Sequence, residues 1–210
     1  MKYWFLIASI SLLSLAAFAA ETQPSVERPA AADAARLSDH LAGLEGYRHP
    51  FVQQVYSPRG VLIESSEGEL AVQRPKARWE IKTPFPQTVL LLDDELQIYD
   101  PDLEQVTKRA LADNWADVPL AMLVNGGSVG DYFQVVEYEP GLFSLHPHAD
   151  DSLLEEIRLE WRDERLLSLQ IYDQTGQLTF IQFEHQSVRQ MIQSGYFDLV
   201  LPPGTEVVRG

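Results

Sequence analysis

The chain contains no cysteine. That excludes disulfides, thiolate metal sites and a cysteine nucleophile. The sequence also has no G-x-S-x-G, no H-E-x-x-H and no P-loop, so the common hydrolase, zincin and nucleotide-binding frameworks are missing. Positive charge is scarce: 16 Lys and Arg face 31 Asp and Glu, a formal net charge of −15. A surface of that sign repels nucleic acid and anionic membranes. There is no internal repeat and no low-complexity tract. Asp93-Asp94 and Asp100-Pro101-Asp102 read as turns rather than as paired catalytic acids. His146-Pro147-His148 with Asp150-Asp151 has ligand-type side chains. It is a strand end running into a polar loop, however, and its spacing matches no defined metal site. No catalytic residue, metal or cofactor is expected.

A long apolar run occurs in one place, Phe5 to Leu15, behind the positive Lys2 and ahead of the small-x-small stretch Ala17-Phe18-Ala19. This is the pattern of a cleaved export signal over residues 1–19, with the mature chain beginning at Ala20. The run is too short for a comfortable span of about 20 residues. A bacterial lipoprotein needs a cysteine directly after its cleavage site, so the exported chain is not itself lipid-anchored. Residues 20–210 suit one domain with a substantial core.

Past a polar, proline-containing start (Glu21 to Pro29), residues 30–44 are alanine-rich. Leu37, Leu41 and Leu44 fall at helical spacing there, which predicts an amphipathic helix with one narrow apolar stripe. After Gly46 the period changes to two. Strands are expected over Tyr47–Val55, Val61–Val72, Ala77–Lys82, Thr88–Leu92, Leu96–Tyr99 and Leu103–Arg109. Beyond them, residues 117–124 form a short apolar helix, with Pro119 in its first turn and Gly126-Gly127 as its stop. Strands resume over Tyr132–Tyr138, Leu142–His146, Glu156–Trp161, Arg165–Tyr172, Leu178–His185 and Tyr196–Leu201. The alternation is clean in several: Ile157, Leu159 and Trp161 oppose Arg158 and Glu160. About eleven antiparallel strands with two isolated helical pieces make a mainly β sandwich or barrel. Its interior is either packed by its own side chains or left open for a ligand.

The run Gln73 to Leu111 carries a further signal. Arg74-Pro75, Arg78-Trp79-Glu80, Pro84 with Gln87, and Tyr99-Asp100-Pro101 through Leu103-Glu104-Gln105-Val106 match, in order and spacing, the LolA family of periplasmic lipoprotein carriers, and the chain resembles that family from Leu37 to about Val208. Phe51-Val52-Gln53-Gln54 and the Val118–Val124 helix belong to the same resemblance. Ala77 departs from it where many relatives carry an aromatic residue, and Asp94-Glu95 stands where a turn glycine and lysine are usual.

The resemblance implies an incomplete, unclosed antiparallel β-barrel of about eleven strands with a helical lid, LolA/LolB-like. It also implies a site. Arg74 would be a lid latch reaching backbone carbonyls, with Leu41 and Leu123 as the positions it meets. Leu41, Leu120, Met122 and Leu123 would line the lid. The acyl-chain cavity would be walled by Phe51, Leu70, Val72, Trp79, Ile81, Leu90, Leu92, Ile98, Phe133, Val135, Phe143, Ile157, Leu159, Ile171 and Phe183. The implied partners are acylated lipoproteins, an inner-membrane lipoprotein-releasing ABC transporter and an outer-membrane lipoprotein receptor, with the carrier a monomer. Two other readings stand beside it: a surface pairing of Arg74 with Glu69 or Glu80, and an envelope lipid- or polysaccharide-binding or stress-sensing protein on a similar half-barrel.

Overall fold

The computed structural model describes residues 30–93, 95–110, 119–124, 129–184 and 190–209. The export signal, Glu21 to Pro29, Asp94, residues 117–118, Gly126-Gly127 and His185 lie outside these residues.

Helix α1 (Ala30–Ala42) leads into β1 (Tyr47–Tyr56), β2 (Leu62–Gln73), β3 (Lys76–Thr83), β4 (Gln87–Leu92), β5 (Glu95–Asp100) and β6 (Gln105–Ala110). Two short helices follow, α2 (Pro119–Val124) and α3 (Val129–Tyr132). Then come β7 (Phe133–Glu139), β8 (Leu142–Pro147), β9 (Leu154–Arg162), β10 (Arg165–Asp173) and β11 (Leu178–Phe183). The chain finishes with β12 (Gln190–Met191) and β13 (Glu206–Arg209). The described strands form one sheet in the order β13-β6-β5-β4-β3-β2-β1-β11-β10-β9-β8-β7, with β12 paired to one end of β1. The two edges, β13 and β7, do not pair with each other, so the sheet is open.

Turn chemistry explains most of this order. Asp163 and Glu164 both have positive φ, 48° and 61°. That is the twist a two-residue hairpin between β9 and β10 requires. Gly141 (φ 78°) turns β7 into β8. The join of β1 to β11 aligns Phe51 with Phe183 and Gln53 with Ile181, so two blocks of hairpins become one sheet.

The inner face carries the main core. Leu37 and Leu41 of α1, one turn apart, bury completely against it, and Leu44 follows just past the helix end. A leucine so buried is worth about 1.5–3 kcal/mol. The helix stops where expected, with Gly43 N donating to His40 O at 3.0 Å. Every described side chain of α2, from Leu120 to Val124, is buried. A helix that is apolar all round belongs inside a protein, and α2 packs on β2 and β3. At Gly68 a Cβ would stand 2.3 Å from Glu80 O and 2.5 Å from Phe51 Cζ. The bare backbone there lets the Phe51 ring reach Trp79, with centroids 4.0 Å apart and planes at 28°.

Three expectations change. The last strand is not Tyr196–Leu201, because residues 194–197 form a turn that packs on the outer face. Past the Pro202-Pro203-Gly204 bend, β13 instead runs parallel to β6. The strand expected from Leu103 begins at Gln105, because Asp100 accepts from Leu103 N and holds a turn there. Helix α3 was not foreseen; at four residues it is too short to show a period.

Candidate functional site: a lidded apolar face

Two groups of polar contacts and one of stacked rings tie the helices to the sheet. Arg74 lies in the turn between β2 and β3. Its Nε donates to Val124 O at 2.7 Å and its Nη1 to Glu45 Oε2 at 2.9 Å. Val124 ends α2, so its carbonyl is one of the acceptors a helix leaves without an intrahelical partner. The expected partners, Leu41 and Leu123, are each replaced by a residue close by. Leu41 O accepts from Leu44 N at 3.2 Å, and the α1 side of the contact is made by the Glu45 carboxylate. The alternative acids are engaged elsewhere: Glu69 with Arg48, Lys82 and Tyr196, and Glu80 with Arg78.

The second group fastens α1 to β7. Arg36 bonds Asp33 and, through Nε, Glu137 Oε2 at 2.5 Å. Asp33 Oδ2 accepts from Glu137 N at 3.1 Å. The hydrogen bond to Glu137 pushes the Arg36 guanidinium above its ordinary value against a smaller opposing effect of burial, with the charges of Glu137 and Asp33 adding. The third group is aromatic. His40, in the last turn of α1, stacks on Trp161 of β9 at 5.0 Å and 24°, and meets Phe143 edge-on at 5.6 Å. Beside α1 runs a groove of about 420 Å³ lined by Ala34, Ala35, Ser38, Gly130, Phe133 and Val135 among others.

Most of the proposed wall residues meet in one cluster. Phe51, Leu70, Val72, Phe133, Val135, Phe143, Ile157, Leu159 and Phe183 are buried in it, and Trp79, Ile81, Ile98 and Ile171 pack against it. The lid residues Leu41, Leu120, Met122 and Leu123 belong to the same cluster. Leu90 and Leu92 do not. On β4 the inner positions are Val89 and Leu91, so the period of two sends Leu90 and Leu92 outward. There they pack with Ala71, Ile192, Tyr196, Phe197 and Leu199. Ala77, the departure from the family pattern, is fully buried on the inner face opposite Val72 and Leu91. His146 and His148 diverge: His146 Nε2 lies 3.1 Å from Ser144 Oγ, and His148 Nε2 lies 3.2 Å from Gly130 O. Among the described residues no group of three or more metal-ligating side chains converges.

Residue-by-residue reading did not mark Glu45, Asp33, Arg36, Glu137 or Tyr196. Asp33 and Arg36 carried a visible cue, an opposite-charge pair at i,i+3. Glu45, Glu137 and Tyr196 make these contacts across the tertiary fold, with partners 29 to 127 residues away in sequence.

Comparison with known proteins fits this geometry. The family pattern of the outer membrane lipoprotein carrier protein LolA matches residues 42–200. An outer-membrane lipoprotein carrier protein of Chromohalobacter salexigens is 34% identical over 181 residues, 84% of this chain and 86% of that one. One from Hahella chejuensis is 33% identical over 208 residues, covering 95% of this chain and 97% of its own. Among solved structures, an uncharacterized conserved protein from Thermus thermophilus shares the fold, with a TM-score of 0.50 and 13% identity over 84% of this chain and 99% of that chain. With an open, mainly β sheet, an apolar face under two helices, and a family match over most of its length, the chain belongs to the LolA family.

Proposed function

We infer that this chain is a periplasmic carrier of acylated lipoproteins, holding their acyl chains on the inner face of the sheet in place of α1 and α2. The observation that carries the reading is the cover of that face. Two short helices bury the largest apolar surface of the molecule, and a single side chain, Arg74, bonds the end of α2 and the residues after α1 together.

The energetics ask for such a device. A buried methylene is worth about 0.8 kcal/mol, so a long acyl chain costs on the order of 10 kcal/mol to bring into water. Passage across an aqueous compartment needs a host that hides the chains and still gives them up. A cover that returns to the empty site competes with the cargo and lowers its net affinity, which favours onward transfer. Charge-assisted bonds such as those of Arg74 are worth about 1.5–3 kcal/mol each, enough to favour closure and weak enough for ligand to overcome.

Residues 1–19 serve as the export signal, and with no cysteine to acylate, the mature carrier works as a water-soluble monomer rather than as the anchored acceptor. It takes cargo from an inner-membrane ABC transporter and passes it to an outer-membrane lipoprotein receptor. The test is release of a labelled lipoprotein from spheroplasts. The purified mature chain is expected to bring the lipoprotein into the soluble fraction, and a lipoprotein that stays in the membrane sinks the reading.

A further inference from the structure

Trp161 presents a buried polar atom for which the closed protein has no use. The side chain is 4% exposed on the inner face, and its Nε1 has no hydrogen-bond partner among the described residues. Among the described residues, the buried side-chain atoms Ser66 Oγ, Arg48 Nε and Arg78 Nε share that condition. The two arginines have charged neighbours: Arg48 Nε stands 3.2 Å from Glu69 Oε1, and Arg78 Nη2 donates to Glu80. A serine hydroxyl can rotate, whereas an indole has one donor in a fixed direction, and buried indole N–H groups ordinarily find an acceptor.

The position of this donor is informative. Trp161 N donates to Gly141 O at 2.8 Å, and a Cβ on Gly141 would come within 2.5 Å of Trp161 O, so the β7–β8 turn clamps the end of β9. The β9–β10 turn lies just two residues beyond. Trp161 therefore stands at the rim of the inner face, at the end of the sheet that also carries Arg74. His40 of the lid covers its ring.

We propose that Trp161 Nε1 is a cargo-binding donor that recognises an ester carbonyl of the acylglycerol carried by the lipoprotein. This rests on the carrier reading. A folded cargo domain cannot enter beneath the sheet, so the junction between acyl chains and peptide must lie at the rim, and the ester carbonyls lie at that junction. When α1 lifts and His40 leaves the indole, the N–H gains the acceptor it lacks in the closed form. The apolar wall cannot tell an ester-linked chain from an ether-linked one, but a buried donor can, because only the ester offers a carbonyl.

The experiment compares two synthetic lipopeptides of equal chain length, one with a diacylglyceryl cysteine and one with its dialkyl ether counterpart. Binding is read by displacement of a fluorescent apolar probe from the mature protein. The wild type is expected to bind the ester form about 5–10-fold more tightly. Trp161→Phe, which keeps a ring for His40, is expected to erase that preference by weakening the ester form alone. In the wild type the Trp161 indole proton resonance should move downfield with the ester ligand and not with the ether. Equal binding of the two ligands by the wild type, or an equal loss for both in Trp161→Phe, overturns the proposal and leaves the carrier reading standing. Binding of neither ligand by the wild type overturns both.

Discussion

The two faces of the sheet are covered in different ways. The inner face is broad, and α1 and α2 lie on it, tied through Arg74, the Asp33–Arg36–Glu137 group and a stacked histidine. The outer cluster is small, built on Ala71, Leu90 and Phe197, and the C-terminal segment that covers it is tied mainly through one residue, Tyr196. There Tyr196 lies between Arg48 and Arg78, whose guanidinium carbons are 5.4 and 5.2 Å from the ring centre. Its hydroxyl donates to the buried Glu69, and its carbonyl accepts from Arg78 Nη1 at 3.1 Å. On either side of this turn, β12 and β13 are both hydrogen-bonded into the sheet. On the carrier reading proposed above, the cover of the large apolar surface is the one that must leave, and the cover of the small one stays with the fold.

The strongest way to break this contrast is to empty the outer cluster. Phe197→Ala removes a buried ring at a site with little else to collapse into it, and the expected cost is about 3–5 kcal/mol of global stability in urea unfolding. Because the outer cover is part of the permanent fold, the loss should be the same with and without lipopeptide on the inner face, apart from the constant gain that ligand binding adds. A cost below about 1 kcal/mol would mean that the C-terminal segment is as dispensable as the lid.

Arg74→Leu tests the other side. It removes the bonds to Val124 O and Glu45 and should loosen the closed lid by about 1.5–3 kcal/mol. Hydrogen exchange should show faster opening of α1 and α2 with unchanged protection in the C-terminal segment 190–199. In the release assay loading should persist while onward transfer falls. Unchanged transfer would remove the latch role.

The same contrast explains what could be read from the sequence. The inner wall was legible because strand alternation and the leucine spacing of α1 are local signals, and they brought thirteen of the fifteen proposed wall residues to one cluster. Leu90 and Leu92 failed for a local reason as well. Thr88 to Leu92 ends in a run of apolar residues, so the pattern does not say which parity faces in, and the outer face turned out to need apolar side chains of its own. The outer cover was illegible because Tyr196 and Phe197 meet residues more than 100 positions earlier, and the turn at 194–197 resembles a strand only in composition. Arg74 stood out through its family spacing, yet its acceptors moved to Val124 and Glu45. A helix end offers several carbonyls, and spacing cannot choose among them.

The smallest effect is a matter of pH. Burial first, then the bond to Glu69, push the Tyr196 phenol well above its ordinary value, and the charges of Glu69 and Glu80 add to the shift. In the unfolded chain a tyrosine ionises near pH 10. Below that pH both states keep the proton and the contribution of Tyr196 to stability is complete. As the pH rises past about 10, the unfolded chain loses the proton while the folded phenol keeps it, and the contribution drains away toward the higher folded value. Tyr196→Phe has no proton to lose. It should be less stable than the wild type by about 1.5 kcal/mol at pH 8, where it lacks the bond to Glu69, and the gap should narrow steadily above pH 10. All other groups are common to both proteins and cancel in the difference. The lid offers the control: the bond from Arg74 to Val124 O is the same in both proteins, so the exchange protection of α2 should follow global stability alone. A gap between wild type and Tyr196→Phe that stays flat from pH 8 to 11 would show that the Tyr196–Glu69 bond does not hold the outer cover.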